Sequence, residues 1–121
     1  VIQILERNNA AGANNVTGQD ATVEGLQNIL AGDQCMTVYK SIREEANALA
    51  DAAVALINGE EPETTGTVQD TEAGREVASV LLEPVAIFRD NVGDVVEDDF
   101  VTAEELCTGE FAAACEEVGI G

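Results

Sequence analysis

The chain has 121 residues, with 24 acidic against 5 basic and a net charge of −19. A polyanion of this kind is excluded from binding nucleic acid or an anionic membrane surface by electrostatics. No apolar run approaches the roughly 18–20 residues that a membrane-spanning helix needs, and without any histidine or a Cys-x-x-Cys pair the chain offers no ordinary zinc site.

The length suits one domain. The opening stretch, Val1 to Arg7, places Val1, Ile4 and Leu5 on one helical face. It starts inside an amphipathic helix, without a starting methionine, a signal peptide or a cap, as a piece of a longer protein would. Residues 8–14 are rich in Asn, Ala and Gly and read as a loop. Asn15 to Gln19 is a short strand. A helix is predicted from about Thr22 to Ala31, with Val23, Leu26, Ile29 and Leu30 facing inward. Asp20 or Thr22 can cap its start, and Gly32 stands in the usual position after a helix end.

Cys35 to Tyr39 is a second strand, compact and β-branched, with Cys35 expected as a buried, inert thiol. Ser41 then caps a long helix, about Ile42 to Asn58, closed by Gly59. Its expected buried stripe is Ile42, Ala46, Leu49, Ala50, Ala53, Leu56 and Ile57. Residues 60–74 are polar and read as a loop. Val77 to Leu82 is strand-like, Pro84 interrupts it, and Val85 to Phe88 resumes it. A proline there marks an edge, a bulge or a crossover. A short helix is expected over Asp90 to Val96. Thr102 caps another, and a last helix follows Gly109 and stops at Gly119. The alternation of helix and strand predicts an α/β fold, a parallel sheet flanked by helices on both faces, with right-handed connections.

Of the three cysteines, Cys107 and Cys115 bracket Thr108-Gly109. On one continuous helix they would lie about 12 Å apart, beyond the roughly 7 Å that a disulfide tolerates between Cα atoms. The break at Thr108-Gly109 lets Cys107 fold back onto the last helix, and a disulfide is predicted, as suits an oxidising compartment.

Two strings twenty residues apart carry the chemistry: Val16-Thr17-Gly18-Gln19-Asp20 and Met36-Thr37-Val38-Tyr39-Lys40. Each is a strand ending on one polar side chain, and a helix joins them. In a parallel sheet this puts Asp20 and Lys40 side by side in the crevice where such folds bind ligands. On residue type alone, Asp20 also reads as a helix cap and Lys40, the only lysine, as a solvated strand end. Tyr39 points the opposite way from Lys40 and is expected in the core.

Gly18-Gln19-Asp20-Ala21, Ile29-Leu30-Ala31-Gly32, the Met36–Lys40 string and Val80-Leu81-Leu82-Glu83-Pro84-Val85-Ala86 stand in order over about residues 1–106. Together they resemble the C-terminal lobe of type I periplasmic sugar-binding proteins of ABC transporters, closest to the xylose and multiple-monosaccharide branch. The resemblance implies a C-terminal sugar-binding lobe over residues 1–82, then a lobe-crossover segment and tail over 83–121. It implies a monosaccharide held by Asp20 and Lys40, with no cofactor, no metal and no catalysis. A carboxylate accepts protons from sugar hydroxyls, and an ammonium donates three. The implied partners are a permease and the missing N-terminal lobe, whose aromatic rings stack on the sugar; this chain has no Trp. The implied location is extracytoplasmic, periplasmic or as a lipoprotein, and the tail with Cys107 and Cys115 departs from the Gram-negative pattern. Three other readings are weaker. The effector-binding lobe of a sugar-responsive repressor shares the fold. A hydrolase would pair Asp20 with Glu24 or Glu83. A calcium loop over residues 94–99 lacks the spaced ligands such loops use.

Overall fold

The computed structural model describes all residues, Val1–Gly121. The backbone-directing residues act where the sequence places them. After the short helix α1 (Ile2–Arg7) and strand β1 (Thr17–Gln19), the Thr22 hydroxyl accepts the Gly25 N–H at 3.2 Å and starts α2 (Val23–Ala31). Gly32 ends α2 at a φ of 87°, which glycine adopts without the steric cost that a Cβ brings. Strand β2 (Met36–Tyr39) follows, and the Ser41 hydroxyl accepts the Glu44 N–H at 3.3 Å to start α3 (Ile42–Asn58). The rest of the chain forms β3 (Gly66–Asp70), β4 (Arg75–Ser79), β5 (Val85–Ile87), α4 (Gly93–Glu97), α5 (Ala103–Leu106) and α6 (Ala112–Glu117). Single 3-10 turns at Arg89–Asn91 and Gly109–Phe111 precede α4 and α6.

The chain divides into two compact units, one made of Val1–Lys40 with Pro84–Gly121, the other of Ser41–Glu83. The first unit holds a three-stranded sheet in the order β1-β2-β5. β1 and β2 are parallel, with Thr17 opposite Met36 and Gln19 opposite Val38, as α2 crossing between two strands requires. The α/β fold is thus as expected. The sheet is mixed rather than wholly parallel, because β5 runs antiparallel to β2 with Ile87 opposite Thr37. Leu26, Ile29 and Leu30 of α2 pack with Ile87, Val95 and Leu106 in one buried cluster, so the apolar spacing of α2 decides its buried face. Cys115 and Ile120 bring the end of the chain into the same core. Cys107 and Cys115 form the disulfide, with Cα atoms 5.8 Å apart. Gly109, at a φ of 58°, makes the predicted break between α5 and α6.

In the second unit, β3 and β4 form an antiparallel hairpin from Gly66 opposite Ser79 to Asp70 opposite Arg75. This corrects the expectation of a loop over residues 60–74 and of a strand starting at Val77. Gly66 and Asp70 are turn-type residues by composition. Here the Asp70 carboxylate accepts the N–H groups of Glu72 and Ala73 at 3.1 and 3.0 Å, and so makes the reversal that the hairpin needs.

The long helix differs in its packing. α3 has no buried residue. Leu49 and Ile57, both expected inside, are 73% and 84% exposed. The apolar period is real, but the side of α3 that is half-buried carries alanines: Ala48, Ala52 and Ala55 line a concavity with Thr64, Thr65 and Val80. The larger side chains of this 17-residue helix face outward.

Candidate functional site

The end of β1 is held in an uncommon shape. Asp20 and Ala21, neither of them glycine, take φ values of 74° and 45°. Left-handed backbone at such residues costs on the order of 1–3 kcal/mol each and persists only where the surroundings enforce it. β2 supplies the enforcement. The Asp20 N–H donates to the Val38 carbonyl at 2.8 Å, and the Ala21 N–H donates to Thr37 Oγ1 at 3.3 Å. Thr22, one residue further, is the cap of α2. Asp20 therefore does not spend its carboxylate on the helix start.

At the end of β2 the side chains alternate, as a pleated strand dictates. Tyr39 turns into the core, where its ring meets Phe100 edge-on at 5.1 Å between centroids and its hydroxyl donates to the Asp98 carboxylate. Lys40 lies one residue on. Its Nζ is 2.7 Å from Asp20 Oδ1, so the structure brings the two sequence-predicted residues together. The Asp20 side chain is 63% exposed and that of Lys40 39%. The pair stands on an open rim of the first unit, where an incoming group can reach it.

Two residues of this arrangement are not legible in the sequence. Thr37 reads as one more β-branched strand former, and Asp98 as one more member of an acidic run. Cys35 is a correction: it is exposed, not buried. It precedes the first paired residue of β2, Met36, and so stops short of the core-facing part of the strand.

No protein-family model matches the chain. In sequence it is 40% identical over 106 residues to the D-xylose-binding periplasmic protein of Escherichia coli (strain K12), covering 87% of this chain and 32% of that protein. It is 37% identical over 92 residues to the multiple sugar-binding periplasmic receptor ChvE of Rhizobium radiobacter, covering 75% of this chain and 26% of the receptor. The chain is homologous to the periplasmic sugar-binding proteins. Among solved structures it matches a carbohydrate transporter solute-binding protein from Chloroflexus aurantiacus in complex with D-glucose, with a TM-score of 0.70 and 32% identity, over 80% of this chain and 30% of that one. A solute-binding protein of an ABC transporter from Clostridium phytofermentans, with bound β-D-glucose, matches at a TM-score of 0.69 and 28% identity over 81% of this chain. The chain spans between 26% and 32% of the length of these two curated relatives. Both sequence relatives are sugar-binding proteins, and both structural ones are solute-binding proteins holding glucose.

Proposed function

We propose that the chain supplies one wall of a monosaccharide site in an extracytoplasmic sugar-binding protein that serves an ABC importer. In this reading it is the C-terminal lobe, with the sugar-binding part in residues 1–82 and a crossover segment and tail in residues 83–121. Asp20 accepts hydroxyl protons from the sugar, and Lys40 donates to hydroxyl or ring oxygens. A second lobe of the same protein closes over the ligand by hinge motion, a shift of population driven by contacts made only in the closed form. The closed protein then docks on a permease. Nothing in the cycle makes or breaks a covalent bond, so the protein is a carrier and not an enzyme.

The observation that carries the reading is the 2.7 Å pairing of Lys40 Nζ with Asp20 Oδ1 at neighbouring strand ends. An acceptor and a donor set on one rim suits a neutral polyol, whose hydroxyls need both. The test is isothermal calorimetry on the two-lobed protein with D-xylose and D-glucose. Asp20→Ala and Lys40→Ala should each weaken binding of the preferred sugar by about 1.5–3 kcal/mol, the range for hydrogen bonds to charged groups, or roughly 10- to 150-fold. Unchanged affinity in both variants refutes the assignment.

A further inference from the structure

We propose that Thr37 is a positioning residue for the sugar site, acting through the backbone at Asp20–Ala21; the inference rests on the binding role proposed for Asp20. Thr37 lies in the middle of β2, the central strand, opposite Gly18 on one side and Ile87 on the other. It is 1% exposed, and with Gln34 it is one of two buried polar side chains. A valine has almost the same shape and suits such a strand position better, because it brings no hydroxyl into an apolar core. What the hydroxyl does here is accept the Ala21 N–H, at 3.3 Å.

That N–H belongs to a fully buried residue in left-handed backbone. Without the hydroxyl it would be a buried donor with no acceptor, which native structures avoid. The turn could relieve this only by rotating Asp20 and Ala21 out of their left-handed conformation, and that rotation would carry the Asp20 carboxylate away from Lys40. Thr37 is sealed from solvent and cannot touch a sugar itself. Its effect on a ligand has to pass through the carboxylate that the turn aims. This separates its role from those of Asp20 and Lys40, which stand on the open rim.

The experiment uses the two-lobed protein, calorimetry with D-xylose and D-glucose, and thermal unfolding without ligand. Thr37→Val should weaken binding about tenfold or more, while Thr37→Ser, which keeps the hydroxyl, should stay within about threefold of the wild type. In an Asp20→Ala background, Thr37→Val should cost no further affinity, because the group it aims is gone. If Thr37→Val lowers the melting temperature and leaves affinity within twofold, the residue is structural only and the inference is overturned. It is also overturned if Thr37→Val weakens binding as much with Asp20→Ala present as without it. Wild-type affinity in Asp20→Ala alone would instead strike down the binding role of Asp20, and this inference with it. Should Thr37→Val fail to fold, Ala21→Gly beside it removes the strain at residue 21. The double variant should then fold and bind more weakly than Ala21→Gly alone, and equal affinity of the two overturns the inference.

Discussion

The disulfide between Cys107 and Cys115 closes a loop with a sequence separation of 8. It joins two elements that cannot stand alone, since α5 has 4 residues and α6 has 6, far below the length at which an isolated helix is stable. What keeps them in place is burial of Leu106, Cys115 and Ile120 in the core, together with the covalent link. The chain-entropy account gives about 2.5 kcal/mol for a loop of this size at 25 °C. With an unfolding entropy of about 2.1 cal/mol/K per residue, this is a drop of about 10 °C in melting temperature if all 121 residues unfold together. The drop is larger if the first unit unfolds by itself. Reduction isolates the crosslink, because both sulfurs remain and no cavity forms; Cys107→Ala with Cys115→Ala adds a cavity at the buried position. The assay is thermal unfolding by circular dichroism with and without a phosphine reductant, next to thiol titration of the unreduced, denatured chain. One titratable thiol is expected, that of Cys35. Three thiols, or melting curves that coincide within about 2 °C while reduction is complete, would refute the reasoning.

Two further outcomes follow from packing and charge. Leu26 is fully buried, and Leu26→Ala should destabilise the chain by about 2–5 kcal/mol; Leu49→Ala on the open side of α3 should change stability by no more than about 0.5 kcal/mol, both read by urea unfolding. Glu105 accepts from the Thr102 N–H at 3.1 Å and from its hydroxyl at 2.9 Å, and the backbone bond first, then the hydroxyl, hold its carboxyl below the ordinary 4.5. The contribution of this capping box is therefore complete above that value and is lost as pH falls through the depressed one. A carboxyl-detected NMR titration should place Glu105 below 4.5, and Thr102→Ala should move it part of the way back, since the N–H remains.

The β1-α2-β2 part of the first unit was legible because its signals are local and agree with one another, whereas the antiparallel β5 was not. Thr22 and Gly32 frame α2, and the spacing of Leu26, Ile29 and Leu30 leaves one face to bury. Once α2 joins β1 to β2, the strands are parallel neighbours, and Asp20 and Lys40 must meet at one edge. In the second unit the bounds of α3, Ile42–Asn58 between Ser41 and Gly59, were legible, but its hairpin and its packing were not, for two separate reasons. β3 holds one large apolar residue, Val68, between turn-type residues, too little alternation to register as a strand. The stripe on α3 has the period of a buried face, but periodicity says only that a helix has an apolar side. Whether anything covers that side is decided elsewhere in the fold, and here Thr64, Thr65 and Val80, which flank the hairpin, lie beside α3, against its alanines. Thr37 escaped for a different reason again. A hydroxyl that accepts from residue 21 cannot be told, in a β-branched run, from one chosen for strand propensity.

The exposure of Asp20 and Lys40 decides what the pair can do. A buried ion pair, once separated, leaves uncompensated charge and costs about 3–5 kcal/mol, so it serves as a strut. An exposed pair contributes about 0–1 kcal/mol, because water solvates both ends when they part. Each hydrogen bond from a charged group to a hydroxyl contributes about 1.5–3 kcal/mol. At 2.7 Å and on an open rim, Lys40 and Asp20 hold each other in position, and on the proposed reading a polyol that bonds to both would offset their separation once water is excluded. The same openness sets the limit for the rim alone. Hydroxyls there exchange water for protein at nearly equal strength, and the bonds gain their full value only when a second surface excludes the water. On the proposed reading, a pair this accessible would grip a sugar only as half of a closing site.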